Sequence, residues 1–218
     1  MFRSRMKTAG WSLILFAVLS ACARQSGTGP QGSASDRDLR EELERMGKED
    51  QSRREEMMSL MRQGLGDPAA RKRFDEAGVA QREIDTRNMN RLREILQREG
   101  WPGFRRVGKQ AGNAAFLILQ HAGLEDQKEY FPLLKEAALR REASPADAAM
   151  MEDRILMREG KNQVYGTQLV SDKQTGKLEL WPVENEEEVD SRRAAVGMPP
   201  LGEYLKGFGL EYHPPAKK

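Results

Sequence analysis

The stretch 144-SPADAAMMEDRILMREG-160, followed by 161-KNQVYGTQLV-170, contains the change of period that decides the fold class. Ser144 is a capping residue, Pro145 suits the first helical position, Asp147 adds an acid to the first turn, and Gly160 lies past the other end. Ala146, Ala149, Met150, Leu156 and Met157 recur at helical spacing between those signals. Beyond Gly160 the period shortens. Gln163 to Val170 and Lys177 to Val183 are β-favouring runs joined by Ser171 to Gly176, which predicts a hairpin.

Working toward the N-terminus, the pattern stays helical. Leu39, Leu43, Met46, Met57, Leu60 and Met61 mark a first helix that closes at Gly64 to Pro68, and a second runs from about Val79 to Glu99. Gly100-Trp101-Pro102-Gly103 is a breaker cluster. A third helix, Lys109 to Ala122, carries the apolar run Ala114 to Leu119 and should be the most buried element. Glu125 to Arg141 continues as helix, kinked or restarted at Pro132. Past the hairpin, helix returns near Glu186 to Ala195 and Leu201 to Lys206. The expected fold is therefore mainly α (α+β): a single helical domain over 36–209 with one β-hairpin in its C-terminal half, then a loose tail over 210–218.

The first thirty-five residues read as an address. Arg3, Arg5 and Lys7 precede a short apolar run, Trp11 to Leu19, about half of the roughly 20 residues that a spanning helix needs. The run ends in Leu19-Ser20-Ala21-Cys22, which looks like a lipobox, so 1–21 is expected to be a lipoprotein signal peptide and Cys22 the lipidation site. Gln25 to Ser35 is Gly/Ser-rich without a large apolar residue, so 22–35 reads as the lipidated cysteine and a tether. The formal charge of the whole chain is +2, but loss of Arg3, Arg5 and Lys7 leaves 33 basic residues against 34 acidic ones, a net −1. Nucleic acid is therefore not an expected partner. The expected location is the cell envelope, anchored by lipid, and the outer membrane facing the periplasm if the cell is Gram-negative, since Ala23 stands where an inner-membrane retention signal would place aspartate.

Several polar residues sit where helix periodicity calls for apolar ones. Asp153 interrupts the stripe of the helix after Ser144, and a carboxylate there needs a partner. His121, on the face of the third helix with Ala114, Leu117 and Ile118, is the expected partner. In the first helix, Asp50 with Arg53 or Arg54 has the acid–base spacing of i, i+4 or close to it; in the second, Asp85 and Asn88 precede Leu92 on the stripe. If these faces meet they form a cluster of carboxylate, guanidinium, amide and imidazole. Such a cluster is either a hydrogen-bonded network that fixes packing, or a pocket in which His121 is acid or base, Asp153 orients it and an arginine holds an anion. Tyr165 and Thr167, two apart in an expected strand, would share one face beside Gly166. No metal-ligand spacing, phosphate-cradling glycine loop or nucleophile elbow occurs, so neither metal nor cofactor is expected.

Asp50-Gln51 with Arg54, Asp85 with Asn88, Gly100-Trp101-Pro102, Gln120-His121-Ala122, Asp153-Arg154, Gln163-x-Tyr165-Gly166-Thr167-Gln168, and Arg193 followed by Gly197-Met198-x-Pro200-Leu201 and Tyr204 occur in that order. Together, over about 36–204, they resemble an uncharacterised bacterial family, a domain of unknown function often found behind signal peptides. Met198 stands where leucine is expected, a volume-conserving change. The resemblance implies a shared fold and a shared polar constellation, with no activity to carry over. The candidate catalytic residues are His121 and Asp153; the candidate ligand-binding residues are Asp50, Arg54, Asn88, Arg154, Gln163, Tyr165, Thr167 and Arg193. The leading expectation is a lipid-anchored envelope domain that binds an unidentified ligand or envelope protein through a polar pocket. The alternatives are a hydrolase or transferase with His121 as general base, and a structural envelope protein whose polar cluster only fixes packing.

Overall fold

A computed structural model describes residues 34–172 and 176–213. The expected signal peptide, the Cys22 lipidation site and nearly all of the tether lie outside the described residues. Among the described residues the chain is mainly α with one small antiparallel hairpin: α1 (Ala34–Gln63), α2 (Pro68–Glu99), α3 (Phe104–His121), α4 (Leu124–Leu139), α5 (Pro145–Arg158), β1 (Leu169–Ser171), β2 (Leu178–Leu180), a 3-10 turn (Glu186–Glu188), α6 (Val189–Ala195) and α7 (Leu201–Lys206). No described helix is long and apolar enough to cross a membrane.

α3 is the centre of the packing, as its apolar run predicts: Val107, Ala111, Ala114, Ala115, Phe116, Ile118 and Leu119 are all buried. α1 packs most extensively against it, α2 and α4 also touch it, and α5 packs on α4. α1 can approach α3 closely because Gly47 has no side chain; a Cβ there would lie 2.6 Å from that of Ala114. The main core joins Leu39, Leu43, Leu92, Ile95, Phe116, Leu119, Leu134 and Met151 from all five helices.

α2 begins eleven residues earlier than expected. Asp67 caps it, Oδ2 accepting from the Ala70 amide at 2.9 Å, and Pro68 takes the first helical position. This pair lies in the Gly64 to Pro68 segment expected only to close the first helix, yet it is also a helix-start signal. α3 holds a non-helical Gly108 (φ +83°), so its regular part starts near Lys109. α4 runs through Pro132 without interruption. The cap of α5 is as expected, with Ser144 Oγ accepting from the Asp147 amide at 3.2 Å.

The C-terminal part differs most from its pattern. The hairpin is real but only three residues wide, pairing Leu169 with Leu180, Val170 with Glu179 and Ser171 with Leu178. Residues 163–168 form a loop, not a strand, so Tyr165 and Thr167 do not share a strand face. The amides of Val164, Tyr165 and Thr167 all donate to Asp153 and are not free to join a ladder. Leu169, Val189, Leu201 and Leu205 form a second, smaller core, and Leu210 and Tyr212, which the pattern assigned to a tail, pack against it.

Candidate functional site

The inward polar residues gather into two groups, and the division is not the expected one. The first lies where α1, α2 and the C-terminal end of α3 meet. His121 Nδ1 faces the Asp50 carboxylate at 3.1 and 3.2 Å from its two oxygens. Arg54, one turn along α1, donates to Asp50 Oδ1 at 3.3 Å and to Asp85 Oδ1 at 2.7 Å. Gln81 Nε2 reaches the same two oxygens at 3.4 and 2.7 Å, and Gln51 donates to Asp50 Oδ2 at 2.6 Å. Asp50 is sealed at 1% exposure, whereas the side chains of His121 and Arg54 keep 17% and 18%. The carboxylate is inside and the imidazole is at the rim.

Burial pushes the Asp50 carboxyl upward, but the hydrogen bond and charge of His121, the Arg54 charge and the Gln51 bond together hold it below the usual carboxylate range. An ionised carboxylate only accepts, so the proton between the pair sits on Nδ1. Among the described residues nothing engages Nε2. Asp85 is pushed the other way, because burial and the nearby Asp50 charge outweigh Arg54 and Gln81. Asp50, Asp85 and His121 present ligand atoms within 4.8 Å of one another and could together hold a metal ion. Oδ1 of Asp50 and Oδ1 of Asp85 already accept from Arg54 and Gln81, so a cation on those oxygens competes with the guanidinium.

The second group is centred on Asp153, 0% exposed. It does not meet His121. Its oxygens accept from the amides of Val164 (2.7 Å), Tyr165 (3.0 Å) and Thr167 (2.9 Å) and from the Thr167 hydroxyl (2.9 Å). Burial lifts this carboxyl while those donors oppose the lift. Gln163 is equally committed, donating to the carbonyls of Gln168 and Trp181 and accepting from the Gln168 amide. Arg193, 1% exposed, donates to the carbonyls of Pro199 and Tyr165 and lies 4.8 Å over the Tyr204 ring. Asp153, Gln163, Thr167 and Arg193 thus build the 163–168 loop; their donors and acceptors are spent on the protein itself. Gly166 belongs to the same construction: at φ +72° a Cβ would lie 2.8 Å from Leu201 Cδ1. Asn88 donates to the Met46 carbonyl at 3.3 Å and ties α2 to α1.

Arg154, half-buried on α5, differs from the fully buried Arg193, whose guanidinium is engaged. The charges of Arg158, Tyr204 and Arg54 act on Arg154, and among the described residues no hydrogen bond or ion pair engages its guanidinium. Burial, then Arg158 and Arg54, pull its pKa down to about 10, which still leaves it charged at neutral pH. One turn on, Arg158 donates to the Ala122 carbonyl, next to His121, and to Gln127 Oε1, both at 3.1 Å. Gln81 and Arg158 were not anticipated. Each stands four residues from a flagged one, Asp85 and Arg154, a helical neighbour relation that lay within the expected helices and could have found both.

Chemically, the end of α3 offers an imidazole with one nitrogen tied to a buried carboxylate and the other free, Arg158 reaches the adjacent Ala122 carbonyl, and Arg154, one turn back on α5, has no partner among the described residues. That is acid–base capacity next to anion affinity. Two shallow depressions elsewhere, on the outer side of α2 (Val79, Arg82, Thr86, Asn90) and between α1 and α2 (Arg53, Glu56, Arg73), contain neither His121 nor Arg154.

No curated protein and no solved structure matches the chain. A family model does match, over residues 37–213, and carries the description "family of unknown function". Its span takes in both polar groups and all of α2 to α7. The chain belongs to that family, DUF6624.

Proposed function

We propose that this chain is a lipid-anchored envelope protein whose helical domain binds an anionic ligand at the rim formed by His121, Arg154 and Arg158. The observation that carries the reading is Arg154. A half-buried guanidinium without a counter-charge among the described residues carries an uncompensated desolvation cost, and an incoming anion relieves it. His121, held by Asp50 through Nδ1, leaves Nε2 free at the helix end that Arg158 reaches through the Ala122 carbonyl. Asp50 and Arg54 support the rim from beneath; Asp153, Gln163, Tyr165, Thr167 and Arg193 support it by holding the loop against α5.

The test is titration of the full chain in detergent with inorganic phosphate and with malonate, followed by calorimetry and by the side-chain NMR signals of arginine and histidine. Binding should perturb Arg154 and His121 and should weaken about 10- to 100-fold in Arg154→Ala, the loss of one charge-assisted contact of ~1.5–3 kcal/mol. Equal affinity in the variant, or perturbations confined to other residues, would refute the site. The anchor is tested separately: Cys22→Ala should move the protein from the membrane fraction to the soluble one.

A further inference from the structure

We infer that the ligand is a phosphomonoester and that the site hydrolyses it, with His121 as the catalytic acid–base residue and Asp50 as the residue that positions it. The inference rests on the anion-binding reading above and adds a substrate class and a reaction.

Charge selects the substrate class. Arg54 has its carboxylates, Asp50 and Asp85. Arg154 has none, and Arg158 is met only by a carbonyl and an amide oxygen, so among the described residues neither guanidinium faces a carboxylate. Two uncompensated positive charges, one helical turn apart on α5, match a dianion. A carboxylate would neutralise one of them; a phosphomonoester neutralises both and has three terminal oxygens with which to bridge them. An arginine pair also stabilises the charge on those oxygens as the phosphoryl group transfers.

The dyad supplies the proton chemistry. Asp50 fixes the imidazole through Nδ1 and leaves Nε2 toward solvent at the same rim. Nε2 takes a proton from a water molecule as the water oxygen forms its bond to phosphorus. The bond from phosphorus to the ester oxygen breaks on the opposite face, its electron pair leaves with the alcohol oxygen, that oxygen takes a proton from solvent water, and Nε2 releases its own proton to solvent. Ester and water become alcohol and inorganic phosphate, and His121 is returned unchanged.

The experiment incubates the full chain in detergent with a panel of phosphomonoesters (nitrophenyl phosphate, glycerol phosphate, a sugar phosphate and a nucleoside monophosphate), reading phosphate release. Nitrophenyl acetate is the comparison ester, and inorganic phosphate is the binding probe. At least one phosphomonoester should be cleaved above buffer. His121→Gln should lower kcat by about 100-fold or more, the scale of general acid–base catalysis, and should weaken phosphate binding less than Arg154→Ala does. Arg154→Ala should act mainly on KM and on phosphate affinity. Asp50→Asn should shift the pH profile of kcat, which a purely structural role would not. Circular-dichroism melts establish that each variant is folded. Phosphate binding without release from any phosphomonoester overturns the hydrolytic step and leaves the binding site standing. Absence of phosphate binding overturns both. Cleavage of the acetate alone overturns the substrate class, and full activity in His121→Gln overturns the catalytic role.

Discussion

Replacing Asp153 by asparagine should unfold the 163–168 loop's anchoring while sparing the His121 rim. Asp153 Oδ1 accepts from Val164 and Tyr165, and Oδ2 from the Thr167 amide and hydroxyl. An asparagine keeps two amide bonds if its nitrogen takes the place of Oδ2. The Thr167 hydroxyl can turn and accept, but the Thr167 amide then faces another donor. One buried N–H left without an acceptor costs ~1–3 kcal/mol, and loss of charge on the two remaining bonds costs ~0.5–1 kcal/mol each. Burying one fewer charge offsets part of this, in keeping with the upward push on this carboxyl. The net is about 2–3 kcal/mol, or roughly 5–10 °C in Tm for a chain of this size. Asp153→Ala, which strands all four donors, should cost more. Urea titration with matched thermal melts measures both variants. Amide hydrogen exchange at Val164, Tyr165 and Thr167 should accelerate, while the His121 signals stay unchanged. Stability within about 0.5 kcal/mol of wild type in Asp153→Asn, or a large shift of His121, would refute the reasoning.

Three further outcomes are expected. Gly47→Ala should destabilise by about 1–2 kcal/mol in chemical denaturation because its Cβ meets that of Ala114 at 2.6 Å, whereas Gly78→Ala, whose nearest neighbours lie at 3.7 Å, should stabilise α2 by up to about 1 kcal/mol. Asp50, held below its ordinary 3.8, contributes stability that is present above that pH and lost as pH falls through the lower folded value; Asp50→Asn should flatten the acid limb of a pH-stability curve. Asp147 is the opposite case: burial pushes it up to about 6, so its contribution is intact below about 3.8 and lost as pH rises through 6. Asp147→Asn should therefore be worth about 1 kcal/mol more at pH 7 than at pH 4 in the same melts, less than the full shift would give because the side chain is only half-buried.

Much of the molecule was legible in one dimension. The periodicity of Ala114 to Leu119 identified the central helix, Ser144-Pro145 fixed the start of α5, and the misplaced polar residues marked positions that prove to be buried or at the rim. These are local properties: a cap, a proline or a stripe acts within a few residues of itself, so the chain alone determines them. The start of α2 was equally local and equally written, in Asp67-Pro68, but two glycines just before it gave a competing loop reading.

What the chain could not determine is which polar residue meets which. Asp153 and Asp50 both interrupt apolar stripes and are alike on paper. Only the packing of α1 across α3 brings Asp50 to His121, and only the return of the chain after Gly160 delivers three amides to Asp153. Those pairings depend on helix crossing and loop path, which no residue encodes by itself. The same holds for Arg154 and Arg158: their sequence shows two arginines a turn apart, and the fold decides that neither meets a carboxylate among the described residues. Electrostatic energy depends on distance and burial, and both are set by tertiary structure.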